Sequence, residues 1–146
     1  EDEYTRMLSE RIVEEFHKIN KVFASHLVAF TAFVIFKKRY PKLDLYNLLR
    51  LPEEDLIIDY DEFRQCFQSV LTKVHSMYNE GKLNVSPYLT GDPDQIIKHG
   101  LKNVGMYHSK RPLVRNKEGD ITTQDLHVLF YYHNRLDGYE LENYVR

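Results

Sequence analysis

Apolar residues recur every three or four positions along most of the chain, which is the spacing of one face of an α-helix. In the first such segment the recurring apolar residues are Tyr4, Met7, Leu8, Ile12, Phe16 and Ile19, with charged residues between them. This pattern predicts an amphipathic helix that needs a partner surface. The helices predicted along the whole chain span residues 4–19, 22–36, 45–51, 61–80, 93–105 and 123–136.

The second segment, residues 22–36, is apolar on nearly every side and is followed by Lys37, Lys38 and Arg39. A transmembrane helix needs about 20 apolar residues to cross the hydrocarbon layer, so this segment is too short. We therefore expect a helix buried in the core. The alternative is a helix that touches a membrane or a partner protein. Pro41 should end it, because proline disfavours helical geometry in the residue before it.

Signals for β-structure are few. Residues 56–58 are compatible with either a short strand or a buried extended link, and residues 113–115 and 120–122 flank a glycine-containing turn typical of a hairpin. Strands do not alternate with helices, so no parallel sheet is expected. The predicted fold is mainly α: a bundle of about six helices with one small β-hairpin, forming a single domain over residues 1–146.

The composition is that of a globular protein. Of the 146 residues 42% are hydrophobic and 29% are charged, and the formal net charge is −2. Such a charge does not favour nucleic acid or an anionic membrane. The single cysteine, Cys66, cannot form an internal disulfide, which indicates a reducing compartment. The chain begins without methionine or a signal segment, so we expect it to be part of a longer protein.

No pattern of catalytic or metal-binding residues stands out. The seven histidines are scattered and form no His-Glu-x-x-His zinc pair. Cys66 falls in the middle of a predicted helix, where nothing would lower the pKa of its thiol, so we expect a structural role. Helix capping accounts for Asp59, Asp61 and Glu62. We therefore predict no catalytic residue, no metal ligand and no cofactor from the residues themselves.

The most suggestive polar residues lie around the hairpin and at the end of the final helix. Because the arginine fork suits phosphate, this group is a candidate contact site for substrate or a partner. The plainer interpretation is a solvated hairpin and a helix end where cations are favourable. The candidate contact residues are Arg111, Arg115, His133, Asn134 and Arg135, with Lys110 and Lys117 as basic neighbours.

Residues 11–33, 103–115 and 121–145 together resemble the region that follows the catalytic domain in bacterial glycerol-3-phosphate acyltransferases. The resemblance is greatest to the long-chain type shared with dihydroxyacetone-phosphate acyltransferases. It includes the pair Ile19-Asn20 before an apolar helix and a Tyr-Tyr-x-Asn-x-Leu pattern at 131–136. This chain has His133 where relatives often have arginine. The resemblance covers most of the chain, through patterns of helix packing.

The resemblance implies acyl transfer from acyl-CoA or acyl carrier protein to glycerol phosphate in phospholipid synthesis. The family's catalytic motif is His-x4-Asp, in which histidine is the general base for the acceptor hydroxyl. No histidine in this chain has aspartate five positions later; His133 and Asp137 are one residue too close. We therefore expect a C-terminal accessory domain, inactive alone, that packs on an upstream catalytic domain.

In that interpretation the acyl donor and glycerol phosphate are ligands of the parent enzyme, and no nucleic acid is bound. The protein would be cytoplasmic, with peripheral contact to the inner membrane through the parent. The first two helices would offer docking surface for the catalytic domain.

Two other classes of function remain open. A winged-helix nucleic-acid-binding domain would place Arg115 and Lys117 near the tip of its wing. The helix before that hairpin carries only Lys98 and Lys102 as full positive charges, which is few for a recognition helix. A helical protein-interaction domain is the other alternative.

Overall fold

The computed structural model describes residues 2–19, 21–106 and 108–145, and within the first helix the side chains of residues 2–10. The protein is mainly α, with a small antiparallel sheet and one short parallel pair of strands. The described helices are α1 (Asp2–Ile19), α2 (Ala24–Arg39), α3 (Leu45–Leu48), α4 (Tyr60–Asn79), α5 (Pro93–Gly105) and α6 (Leu126–His133). Single 3-10 turns occur at Glu53–Asp55, Pro87–Leu89, Asn134–Leu136 and Leu141–Tyr144.

Helix α2 is the centre of the fold. Its residues from Leu27 to Phe36 are all buried, and α4, α5 and α6 pack around it. This confirms the prediction of a buried core helix, whose apolar residues on every side meet another helix instead of water. The expectation that α2 offers docking surface is therefore wrong. Among the described helices, none combines the length and apolar character that a membrane crossing requires.

Helices α4 and α5 begin where the sequence predicts. Asp59 caps α4 by accepting a hydrogen bond from the Glu62 amide at 3.2 Å, and Asp92 caps α5 by accepting one from the Asp94 amide. Helix α5 approaches α2 closely at Gly100. A Cβ atom at that position would lie 2.7 Å from the Ala24 carbonyl oxygen. Glycine thus sets the short distance between the two helices.

The predicted hairpin consists of β4 (Val114–Arg115) and β5 (Ile121–Thr122), in an antiparallel pair. Strand β2 (Ile57–Ile58) pairs with the other edge of β5, so the strand order is β2–β5–β4. Residues 56–58, for which a strand and a buried link were both open, therefore supply a strand at 57–58. The buried Thr122 hydroxyl donates a hydrogen bond of 2.8 Å to the Leu56 carbonyl, which fixes the register of this sheet.

A second pair of strands was not predicted. Strand β1 (Lys21–Val22) lies parallel to strand β3 (Asn84–Val85). The sequence indicates a loop over residues 82–92, where strand β3 lies. Each strand has only two residues, too few for an alternating pattern to be recognised. The pair ties the start of α2 to the segment that follows α4.

Two helices are shorter in the structure than the sequence predicts. Helix α3 ends at Leu48, three residues before its predicted end. Helix α6 begins at Leu126 and not at Thr123, because Thr122 belongs to strand β5 and Thr123 follows directly after that strand. Asp125 is the cap of α6 and accepts a hydrogen bond from the Val128 amide at 3.2 Å. Thr122 and Asp125 have the spacing of a capping box, but no such box forms between them. The Thr122 hydroxyl is engaged with Leu56 instead.

The amphipathic helix predicted near the start of the chain corresponds to α1. The described part of α1 exposes all of its side chains, including Tyr4, Met7 and Leu8 at 71%, 59% and 46%. The side chains of Ile12, Phe16 and Ile19 lie outside the described residues. Tyr4, Met7 and Leu8 thus form an apolar surface that no described residue covers.

Candidate functional site

The candidate functional site is a cleft of about 640 Å³ between α5 and β4, which we call the cationic cleft. One wall is the exposed face of α5, and the other consists of β4 and the residues before it. Its lining residues are Tyr60, Asp94, Gln95, Ile97, Lys98, Leu101, Lys102, Arg111, Leu113, Val114 and Arg115.

Four cations and one carboxylate line the cleft, a net of three positive charges. Lys98 and Lys102 are four residues apart on α5, so their side chains project from the same face of that helix. Arg111 and Arg115 come from the opposite wall. Within the described ranges, no salt bridge engages Lys98, Lys102 or Arg111. Their charges are therefore available to an anion.

Arg115 is held in place by two contacts. Its guanidinium carbon lies 3.7 Å from the centre of the Tyr60 ring, a cation–π arrangement. Its Nε donates a hydrogen bond of 2.8 Å to the carbonyl of Gly119 in the hairpin turn. Gly119 has φ of 88°, a left-handed conformation that glycine adopts without strain. The hairpin turn and the first residue of α4 together orient this arginine.

Asp94 is the carboxylate of the cleft, and two neighbours bind it. The Tyr60 hydroxyl donates to Asp94 Oδ1 at 2.8 Å, and Arg64 Nε donates to the same oxygen at 2.9 Å. The Tyr60 hydrogen bond and then the Arg64 charge lower the pKa of the Asp94 carboxyl. Burial, together with Asp94, raises the pKa of Tyr60 to about 12. The tyrosine thus stays protonated, and Arg64 balances the aspartate charge.

Arg111 crosses the end of α5. A Cβ atom at Gly105 would lie 3.2 Å from Arg111 Cδ, so the absence of a side chain there lets the arginine pass. The backbone around Arg111 is fixed by Gln124. The Arg111 amide donates to Gln124 Oε1 at 2.8 Å, and the Gln124 amide donates to the Arg111 carbonyl at 3.0 Å. This reciprocal pair anchors the base of the Arg111 side chain to the segment before α6.

The remaining predicted contact residues, His133, Asn134 and Arg135, do not line the cleft. The His133 ring stacks on Phe30 with centroids 5.4 Å apart, and its Nδ1 donates to the Phe130 carbonyl at 3.2 Å. Burial lowers the pKa of His133. Asn134 is the C-cap residue of α6, and its backbone amide donates to the Phe130 carbonyl. The structure therefore separates the predicted group into two parts.

His26, a residue of α2, lies near Arg135. Its described contacts are aromatic: the ring centroids of Phe23 and Tyr132 are 5.6 Å and 6.1 Å away. Burial, followed by the positive charge of Arg135, lowers the pKa of His26 to about 4. The imidazole is thus neutral at physiological pH. Arg135 is exposed, and it does not line the cleft with Arg111 and Arg115.

The described residues form no metal-binding site. Within the part of the chain that the structure describes, no three His, Cys, Asp or Glu side chains come together as a metal site would require. Cys66 is buried, as predicted. The cations among the described lining residues of the cleft are placed to attract an anion.

Sequence reasoning missed the lysines, Tyr60 and Asp94 as parts of one site. A usable signal for Lys98 and Lys102 was their spacing on one helix face directly before the hairpin. The sequence offered no signal that Tyr60 would meet Arg115.

The comparisons with known proteins give no match: no protein-family model, no curated protein and no solved structure resembles this chain significantly.

Proposed function

We propose that this chain is a C-terminal accessory domain of a glycerol-phosphate acyltransferase, which transfers an acyl chain from acyl-CoA or acyl carrier protein in phospholipid synthesis. The observation that carries the proposal is the cationic cleft, whose net charge of three positive units suits a phosphate-bearing ligand. The sequence resemblance supplies the reaction class. The transfer step itself belongs to residues of the parent enzyme outside this chain, because no His-x4-Asp motif is present in it.

The physical support is the match between the ligand's phosphate and the cleft. Arg111 can offer two parallel N–H donors to phosphate oxygens, and the lysines of α5 add flexible point charges. The fixed position of Arg115 reduces the entropy lost when an anion is bound. An accessory domain of this kind would hold or steer a phosphorylated ligand near the catalytic domain.

Contact with the catalytic domain is assigned to α1 in this proposal. Tyr4, Met7 and Leu8 are exposed apolar side chains on that helix, and burying them against another domain would be favourable. Helix α2 is excluded from this role by its burial.

The experiment compares kinetics of the full-length parent carrying Lys102→Ala with Arg111→Ala against the unaltered parent. We expect acyltransferase activity in the parent and a rise in KM for a phosphorylated substrate of about 100-fold in the double variant, the effect of losing two charge-assisted hydrogen bonds at about 10-fold each. Lys42→Ala removes an exposed cation elsewhere and is the matched control. A parent without acyltransferase activity, or unchanged kinetics in the double variant, would contradict the proposal.

A second candidate is a nucleic-acid-binding domain of the winged-helix class. The observation favouring it is the strand order β2–β5–β4, with α4 and α5 before the hairpin, which is the order of elements in a winged helix. Against it, residues 80–92 separate α4 from α5, whereas a helix-turn-helix uses a turn of about 3–4 residues. The whole chain is also slightly acidic.

Salt dependence tests this second candidate directly. If all four cleft cations contact duplex phosphates, the logarithm of the binding constant should fall with the logarithm of salt concentration with a slope of about −4. Fluorescence anisotropy with a labelled duplex measures that slope. The absence of measurable duplex binding at low salt would reject this candidate.

A further inference from the structure

We propose that the cationic cleft binds an organic ligand that carries two or more phosphate groups, of the nucleotide type, in preference to a single phosphate. The inference concerns the same cationic cleft as the proposed function and rests on that proposal. It adds the chemical class of the ligand. It is argued from the size, charge and wall composition of the cleft.

The size of the cleft exceeds what one phosphate needs. Its volume of about 640 Å³ falls inside the range of about 300–1,000 Å³ for pockets that enclose drug-sized ligands. An inorganic phosphate would fill only a small part of this space, so the cleft has room for a larger ligand.

The charge of the cleft also exceeds that of one phosphate group. A phosphate monoester carries about −1.5 to −2 at pH 7. The net of three positive charges is therefore left partly unbalanced by one phosphate and is balanced by two. Asp94 removes little of this positive potential, because Arg64 forms a salt bridge with it at 2.9 Å.

The walls between the cations are apolar. Ile97 and Leu113 are buried beneath the cleft, and Leu101 and Val114 are half-buried at its surface. Inorganic polyphosphate would gain nothing from Leu101 and Val114, whereas a base or sugar packed on these two side chains would remove apolar surface from water. The Gln95 amide and the Asp94 carboxylate are the polar groups that can bind the hydroxyl or ring nitrogen atoms of such a ligand.

Isothermal titration calorimetry on the 146-residue chain tests the inference with four probes: ADP, inorganic pyrophosphate, glycerol 3-phosphate and inorganic phosphate. We expect ADP to bind at least 10-fold more tightly than pyrophosphate, and pyrophosphate more tightly than either monophosphate. Lys102→Ala and Arg111→Ala should each weaken ADP binding about 10-fold. Leu101→Ala should weaken ADP and leave pyrophosphate unchanged.

Lys42→Ala is the control for charge outside the cleft, and circular dichroism melts of every variant verify that it is folded. Equal affinity for ADP and pyrophosphate would overturn the organic part of the inference. Equal affinity for pyrophosphate and phosphate, or ADP binding that is insensitive to the cleft variants, would overturn it altogether. A short nucleic-acid duplex that displaces ADP while present at a lower concentration than ADP binds more tightly than ADP does. That result would also overturn the inference and would indicate a nucleic-acid interface.

The two proposals fail separately. ADP binding that depends on Lys102 and Arg111, in a parent enzyme whose acyl transfer is unaffected by the same changes, keeps the ligand class and rejects the acyltransferase role. Kinetic effects in the parent without ADP binding by this chain reject the ligand class and keep the role.

Discussion

The substitution Gly100→Ala tests the contact that positions the cleft-bearing helix on the core. Gly100 lies where α5 approaches α2 most closely. A Cβ atom there would be 2.7 Å from the Ala24 carbonyl oxygen and 2.9 Å from Val28 Cγ1. The first of these neighbours is backbone, in the buried central helix, and it cannot rotate away. The two helices must therefore separate to accept the methyl group.

Two opposing effects set the magnitude. Alanine is favoured over glycine inside a helix by about 1 kcal/mol. Overpacking a tightly filled contact costs about 1–3 kcal/mol, and a clash with fixed backbone belongs near the upper end. The net expectation is a loss of about 2 kcal/mol in the free energy of unfolding. At about 2–4 °C per kcal/mol for a protein of this size, Tm should fall by about 4–8 °C.

Urea denaturation followed by circular dichroism measures this loss, and Gly105→Ala in the same helix is the matched control. The three atoms nearest to a Cβ atom at Gly105 all belong to the Arg111 side chain, the first at 3.2 Å, and this side chain can shift. We expect the control to match the stability of the unaltered protein or exceed it by up to about 1 kcal/mol, because alanine favours a helix over glycine and the exposed Arg111 side chain can move aside. Equal stability of the Gly100→Ala and Gly105→Ala proteins would refute the close approach of α5 to α2.

Three further outcomes follow from the contacts. The pKa of His26 is about 4 in the fold and about 6.5 in the unfolded chain, so between these two pH values the unfolded chain binds a proton that the folded protein does not. Up to about 3 kcal/mol of the stability present above pH 6.5 should therefore be lost as the pH falls from 6.5 to 4. His26→Gln should flatten that part of a urea-denaturation pH profile. Tyr60→Phe, which deletes the hydrogen bond to Asp94 and keeps the ring under Arg115, should cost about 1 kcal/mol in urea denaturation. The buried Cys66 thiol should react with a thiol reagent at a rate that rises steeply in urea; fast reaction in the native protein would contradict its burial.

Much of the fold follows from periodicity and from the chemistry of helix ends. The spacing of Phe63, Phe67, Val70, Leu71 and Val74 predicts the buried face of α4, and all five are buried. The uniformly apolar run in α2 predicts a helix buried on every side, because only a surrounded helix gains from apolar residues all round. These signals are local, so a single sequence contains them.

The errors arise where a contact between distant residues overrides a local preference. Thr122 has the spacing of a helix cap, but its hydroxyl bonds to the Leu56 carbonyl, 66 residues away, and its backbone joins the sheet. His133 is a predicted contact residue beside Arg135, and its ring also stacks on Phe30 of the central helix, a contact that the sequence does not indicate. In both cases the partner comes from another part of the chain, which local patterns do not specify.

The candidate site depends even more on distant contacts. Arg111 and Arg115 were predicted as contact residues from their type, and the structure brings both to one cleft. The spacing of Tyr60 before Phe63 and Phe67 predicts a position on the inner face of α4, yet its ring lies under Arg115 and its hydroxyl binds Asp94. The pairing requires the hairpin to fold back over the start of α4. No spacing within either segment predicts that arrangement.

The cationic cleft also qualifies the argument from total charge. A net charge of −2 for the chain disfavours anionic ligands only if the charges are spread evenly. At physiological ionic strength exposed charges interact strongly over about 8 Å, so an incoming anion responds to the cations of the cleft and little to distant carboxylates. Arg64 further offsets the one carboxylate in the cleft. Anion binding by a slightly acidic chain is therefore expected to weaken steeply with added salt and to depend on these few side chains.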